Sequence, residues 1–231
     1  MQRTGRDPLD VLRAWETSGL IRFYQWRAKH LDSETYVARA REFRAAVPGL
    51  RLFGNDYASA VIDSSDDGCF SGLHLGQEDL AALSSDERRR LGEKRGRDPD
   101  FVLGLSTHNP GQIESAMAEL RSASAAWTYL ALGPCFPTGS KPTGRDPVLT
   151  AVDFSDCLRT MIRELAEGEH PEPYPLVLIG GISALNIEEL LVIYAGLPDS
   201  SRIQLLVAGI GAFEDIKQIS ALTEKIQNYS S

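Results

Sequence analysis

Short apolar runs recur along this chain, and each ends in glycine or a polar residue before a helix-like stretch begins. The runs fall at residues 20–27, 50–53, 72–75, 101–105, 127–132, 175–179 and 203–207. Their polar or glycine-rich ends lie at Arg27, Asn55, Asp79, Ser106, Thr138, Gly181 and Ala208, spaced 24 to 43 residues apart. Between them, helical spacing predicts helices over residues 10–18, 33–46, 57–63, 78–91, 110–123, 154–167, 186–195 and 213–228. Continuous apolar strands alternating with helices are the pattern of a parallel sheet covered by helices. An open doubly wound sheet would confine chemistry to one switch point, whereas a (β/α)8 TIM-type barrel places it at the end of every strand. The expected fold is therefore an α/β barrel of that type, one domain over residues 1–231. Only seven strands are legible, and residues 1–9 read as irregular, so the first barrel strand is expected to be absent or replaced. Exposed sheet edges would then need cover, which a homo-oligomer would provide.

Bulk properties narrow the partners. A formal net charge of −8 argues against general nucleic-acid or membrane-surface binding, so any anionic ligand needs a local cluster of cations. The three cysteines, Cys69, Cys135 and Cys157, have no CxxC spacing and read as reduced thiols of a cytoplasmic protein. The first residues carry no signal-peptide pattern, and no stretch has the apolar length of a membrane span.

Two strand ends finish in aspartate. Gly72-Leu73-His74-Leu75 breaks at Gly76 and is expected to deliver Glu78 and Asp79 into a loop; Gly54-Asn55 delivers Asp56. Mg²⁺ favours one or two carboxylates together with substrate phosphate oxygens, which Asp56 and Asp79 would supply. Helix N-caps are the other reading of both aspartates. In Gln25-Trp26-Arg27-Ala28-Lys29, period-two alternation puts Gln25, Arg27 and Lys29 on one side if the strand continues. Two cations together suit a phosphate or pyrophosphate, or else form a solvated charge pair. Lys141 and Arg145 share a loop with the Thr138 and Ser140 hydroxyls, either an oxygen-binding loop or a Pro/Gly-rich connector. Gly180-Gly181 and Ala208-Gly209 offer backbone N–H groups ahead of the last two helices, where barrels build a phosphate site. His74 reads as structural; His108, beside Ser106, reads as an acid/base group or as part of a helix start. No Ser-His-Asp arrangement, GxGxxG or P-loop is present.

Six motifs then occur in one order: Gln25-Trp26-Arg27-Ala28-Lys29, Gly54-Asn55-Asp56, Gly72 to Asp79, Ser106-Thr107-His108, Gly133 to Pro142, and Ile179-Gly180-Gly181-Ile182. Together they resemble the ThiE/TenI family of thiamine phosphate synthases, from about Asp10 to the C-terminus. The resemblance implies a barrel enzyme that joins 4-amino-2-methyl-5-hydroxymethylpyrimidine pyrophosphate to thiazole phosphate. It further implies Mg²⁺ on Asp56 and Asp79, pyrophosphate on Arg27, Lys29, Asn55 and Lys141, and the pyrimidine on Gln25 and Ser106. Thr138 and Ser140 would line the junction, and Gly181, Val207 and Ala208 would hold the thiazole phosphate. Arg27, Lys29, Lys141 and Ser106 are the implied catalytic residues. Two positions depart from the family pattern: Ala208 replaces a serine, and Ala28 replaces a frequent acidic residue. Two alternatives stand beside the synthase. One is the family's thiazole tautomerase branch, for which His108 would serve; the other is a catalytically weak ligand-binding relative.

Overall fold

The computed structural model describes residues 7–55, 57–121, 127–138, 147–168, 170–209 and 215–229. They cluster into two compact units whose division falls inside the fourth strand, after Leu105.

The first unit runs to Leu105 and takes in Trp127 and Thr128. It begins with α1 (Pro8–Ser18), where the Asp7 carboxylate accepts the Leu9 N–H and Gly19, at φ 65°, closes the helix. Pro8 and Leu9 are thus helical, not irregular as the sequence suggested, because proline at the first helical position leaves no N–H to satisfy. Then follow β1 (Phe23–Trp26), α2 (Ser33–Ala46), β2 (Arg51–Asn55), α3 (Ala58–Ser64), β3 (Gly72–Leu75), α4 (Gln77–Ala82), α5 (Ser85–Arg97) and β4 (Val102–Thr107). The single helix expected over residues 78–91 is two helices. Ser84 and Glu87 form a capping box that starts α5 afresh, Glu87 N–H donating to Ser84 Oγ and Ser84 N–H to Glu87 Oε2. β1 and β2 pair in parallel with Gln25 opposite Phe53 and Trp26 opposite Gly54. β2 then sets Asn55 opposite His74 of β3, and β3 sets Leu75 opposite Leu105 of β4. Behind β1 and β2, an aromatic core of Trp15, Tyr24, Tyr36, Phe43 and Phe70 is buried, each ring contributing roughly 1.5–3 kcal/mol by leaving water.

The second unit begins with Ser106 and Thr107, the end of β4, and continues through α6 (Pro110–Arg121), β5 (Tyr129–Leu132), α7 (Ala151–Glu167), β6 (Tyr174–Leu178), α8 (Ile187–Ala195), β7 (Ile203–Val207) and α9 (Ile216–Tyr229). β5 pairs with β6 in parallel, Leu132 opposite Leu178, and β6 with β7, Leu178 opposite Val207. Helix α7 covers this sheet with Phe154, Cys157, Leu158, Met161 and Leu165, all buried at the 3- and 4-residue spacing of one helix face. Thr150 starts it in a second capping box, with Asp153.

Strand order follows chain order from β1 to β7. Parallel strands alternating with helices in that order are the TIM-barrel type of α/β fold, with α1 rather than a strand ahead of β1 among the described residues. No described helix is long and apolar enough to cross a membrane.

Candidate active site

At the strand ends of the first unit, polar side chains meet across neighbouring strands. Gln25, exposed on β1, donates through Nε2 to Oδ1 of Asn55, which is buried at the end of β2, at 2.5 Å. That bond orients both amides, with Gln25 Nε2 and Asn55 Oδ1 engaged by each other across the ends of β1 and β2. β1 stops at Trp26, so the expected strand continuation to Lys29 does not occur. A turn takes over, with Leu31 N–H donating to Ala28 C=O at 3.0 Å. Ala28 points inward (3% exposed) while Arg27 and Lys29 on either side are exposed. The two cations therefore share an outward side by a route the period-two rule did not foresee. An acidic side chain in place of Ala28 would have to enter the core.

The Lys29 ammonium lies 3.7 Å from Asp79 Oδ1, and Asp79 Oδ2 accepts the Gly76 N–H at 3.1 Å. Asp79 does not sit in a loop: α4 begins immediately after Gly76, placing Glu78 and Asp79 in its first turn. The helix macrodipole favours carboxylates there, and Asp79 satisfies one of the otherwise unpaired N–H groups. The N-cap position is Gly76, so Asp79 caps from inside the helix rather than as the N-cap. One oxygen is tied to the backbone and the other faces an ammonium, with the side chain one-third exposed. A hard, solvent-reached carboxylate of this kind fits Mg²⁺, which needs only one or two protein carboxylates. Among the described residues no group of three or more His, Cys, Asp or Glu side chains is placed to share an ion. Asp56 lies outside the described residues.

In the second unit, Ser106 is buried next to Thr107, whose hydroxyl donates to Ala131 C=O at 3.0 Å. His108 donates its backbone N–H to Gln112 Oε1 at 2.8 Å, and its Nδ1 bonds the Gly133 carbonyl. A carbonyl can only accept, so the proton is on Nδ1 and Nε2 is the basic nitrogen. The segment after β5 docks on the segment after β6: Cys135 N–H donates to Ile179 C=O at 2.9 Å and Phe136 N–H to Gly180 C=O at 3.0 Å. Gly180 and Gly181 take φ of 87° and 66°, and a Cβ on Gly181 would stand 2.6 Å from Pro137 C=O. Gly181 is thus required by close approach to the loop that leads into Thr138, as well as by its conformation. Ser140, Lys141 and Arg145 lie outside the described residues.

Two features here differ from the sequence reading or were missed by it. The Ala208 N–H, expected as a phosphate donor, donates to Leu178 C=O at 2.9 Å and so belongs to the β6–β7 ladder. The next donor along the chain is Gly209. Asn186, read only as a helix start, ties the glycine turn: its Oδ1 accepts Ser183 N–H at 2.8 Å and its Nδ2 donates to Gly181 C=O at 2.9 Å. An asparagine five residues past a Gly-Gly pair was the available signal.

Parallel strands alternating with helices in chain order define an α/β protein of the TIM-barrel type. The chain belongs to the thiamine monophosphate synthase family, whose model matches residues 1–197. It is 32% identical to a thiamine-phosphate synthase of Shouchella clausii over 221 residues, covering 94% of this chain and 87% of that protein. With the thiamine-phosphate synthase of Rhizobium etli the identity is 35% over 167 residues, 71% of this chain and 67% of the relative. Among solved structures, thiamine phosphate pyrophosphorylase from Pyrococcus furiosus matches with a TM-score of 0.61 at 18% identity, covering 98% of this chain and 92% of that one. That likeness supports the fold. The family assigns the chain to the transferases.

Proposed function

We propose that the chain condenses 4-amino-2-methyl-5-hydroxymethylpyrimidine pyrophosphate with thiazole phosphate, giving thiamine phosphate and pyrophosphate in thiamine biosynthesis. The observation that carries this reading is the Gln25–Asn55 amide pair at the ends of β1 and β2, together with the Lys29–Asp79 pair that joins the turn after β1 to the first turn of α4. A site that only moves protons has no use for such a set, whereas a departing pyrophosphate needs donors and cations. In this mechanism the methylene C–O bond of the pyrimidine breaks, and its electron pair leaves on the pyrophosphate. The thiazole nitrogen then supplies the lone pair for the new C–N bond. Arg27, Lys29, Asn55 and Lys141 stabilise the leaving charge; Gln25 and Ser106 orient the pyrimidine; Thr138 and Ser140 line the junction. Gly181, Val207 and Ala208, with Gly209 as donor, hold the thiazole phosphate. Asp79 and Asp56 would hold Mg²⁺, which supplies positive charge toward the pyrophosphate oxygens. The protein's contribution is positioning and preorganised charge, with no protein base taking a proton from carbon. The reading places the reaction in the cytoplasm and on a single domain, and is compatible with a homo-oligomer.

Pyrophosphate release with both substrates tests it. Asp56→Ala and Lys141→Ala should each lower turnover roughly 10²- to 10³-fold, the scale of losing one preorganised stabiliser. Turnover unaffected by either change overturns the assignment. The second reading, a thiazole tautomerase, draws on the Nδ1 proton of His108 being held by Gly133, which makes Nε2 a base. Loss of proton transfer in His108→Ala, with no pyrophosphate release in the unsubstituted chain, would favour it.

A further inference from the structure

The β1–β2 ladder ends with Trp26 opposite Gly54. Asn55 and the Arg27–Lys29 turn therefore lie past the last pair joining these two strands, and the ladder does not fix their separation. Tyr36, in the first turn of α2, spans that gap. Its side chain is fully buried, and its hydroxyl donates to Trp26 C=O at 2.7 Å while accepting Asn55 N–H at 3.0 Å. One phenol thereby uses both of its hydrogen-bonding roles on two strand ends.

The ring carrying it is held on several sides. Trp26 stacks against it with centroids 5.8 Å apart and returns a bond from its indole Nε1 to Tyr36 C=O at 3.2 Å. Phe70 stacks at 5.9 Å, and Tyr57 packs at 5.0 Å. Tyr57 extends the device: its hydroxyl donates to Leu31 C=O, with Lys29 C=O 3.4 Å away. The first phenol ties the end of β1 to Asn55, and the second ties the turn carrying Lys29 to the start of α3. A buried phenol has to find a partner, and the ones this hydroxyl finds are the backbone carbonyl between Gln25 and Arg27 and the N–H of Asn55 itself.

We propose that Tyr36, assisted by Tyr57, is a positioning residue that sets the spacing between the Gln25–Lys29 segment and Asn55, and so the affinity for the pyrimidine pyrophosphate. This rests on the synthase reading. Neither hydroxyl is assigned a contact with substrate; both act through the backbone. The test is steady-state kinetics of the full chain with Mg²⁺ and both substrates, alongside thermal melting. Tyr36→Phe should raise KM for the pyrimidine pyrophosphate about five- to tenfold, as for one or two hydrogen bonds of alignment, and leave KM for thiazole phosphate unchanged. Tyr57→Phe should shift the same constant in the same direction, and it decides alone if Tyr36→Phe does not fold. A lowered melting temperature with both KM values unchanged, or an equal rise in both, overturns the proposal. If the unsubstituted chain shows no turnover, the synthase reading fails, and titration calorimetry with Mg²⁺ and inorganic pyrophosphate judges the tyrosines instead. Weaker binding in both variants then supports the positioning role; unchanged binding, or none in the unsubstituted chain, overturns it.

Discussion

At Gly181 two requirements coincide on one residue. The backbone φ of 66° disfavours any side chain, and a Cβ would sit 2.6 Å from Pro137 C=O, a backbone atom that cannot swing away. Gly181→Ala should therefore cost on the order of 1–3 kcal/mol and displace the loop before Thr138. Differential scanning calorimetry should record the loss, and KM for thiazole phosphate should rise more than KM for the pyrimidine pyrophosphate. A variant with wild-type melting and both constants unchanged would show that the close approach carries no function. The cysteines stand at the opposite extreme. All three are buried, and burial pushes the thiols of Cys135 and Cys157 up to about 12 and that of Cys69 up to about 11. They are free and buried, in keeping with the reduced thiols read from their lack of CxxC spacing.

Among the helices, several starts depend on ionised carboxylates. Thr35 N–H and hydroxyl hold the Asp32 carboxyl below its ordinary value, and the Thr150 hydroxyl and N–H do the same for Asp153. Glu87 is lowered by the Ser59 hydroxyl and by Ser84, and Asp66 by the Lys94 ammonium. A carboxylate whose pKa is depressed by folding stabilises the folded state above its unfolded value. That contribution disappears as pH falls through the lower folded value. Starting values of 3.8 for the aspartates and 4.5 for Glu87 place the loss on the acid side. Melting temperature should stay level above about pH 5 and fall below about pH 4, and the fall should be shallower in Asp153→Asn. Equally steep falls for variant and wild type below about pH 4 would remove Asp153 from the acid response. Helix boundaries show the limit of reading elements from pattern alone. The starts of α2 and α6 and the whole of β3 and β7 were legible, because caps, prolines and apolar runs mark them locally. The break between α4 and α5 was not, because the charged run over residues 78–91 has helical spacing on both sides of Ser84.

For the molecule as a whole, the synthase reading requires metal-dependent turnover from a chain of net charge −8. Chelation with EDTA should abolish pyrophosphate release, and added Mg²⁺ should restore it; undiminished release in EDTA would contradict the proposed role of Asp56 and Asp79. The alternation of strands with helices and the family were readable from one chain, since apolar periodicity and local motifs are properties of neighbouring residues. The bond between Gln25 and Asn55, the placement of Asp79 in a helix turn facing Lys29, and the engagement of the Ala208 N–H with Leu178 were not. Those relations join residues far apart along the chain, and only strand register and packing bring them within hydrogen-bonding range. Nothing in the local pattern marks Tyr36 as more than an apolar helix residue. Its hydroxyl acquires two strand ends as partners only when α2 packs against β1 and β2, because burial leaves a phenol no water to bond and the Asn55 N–H lies past the last β1–β2 pair.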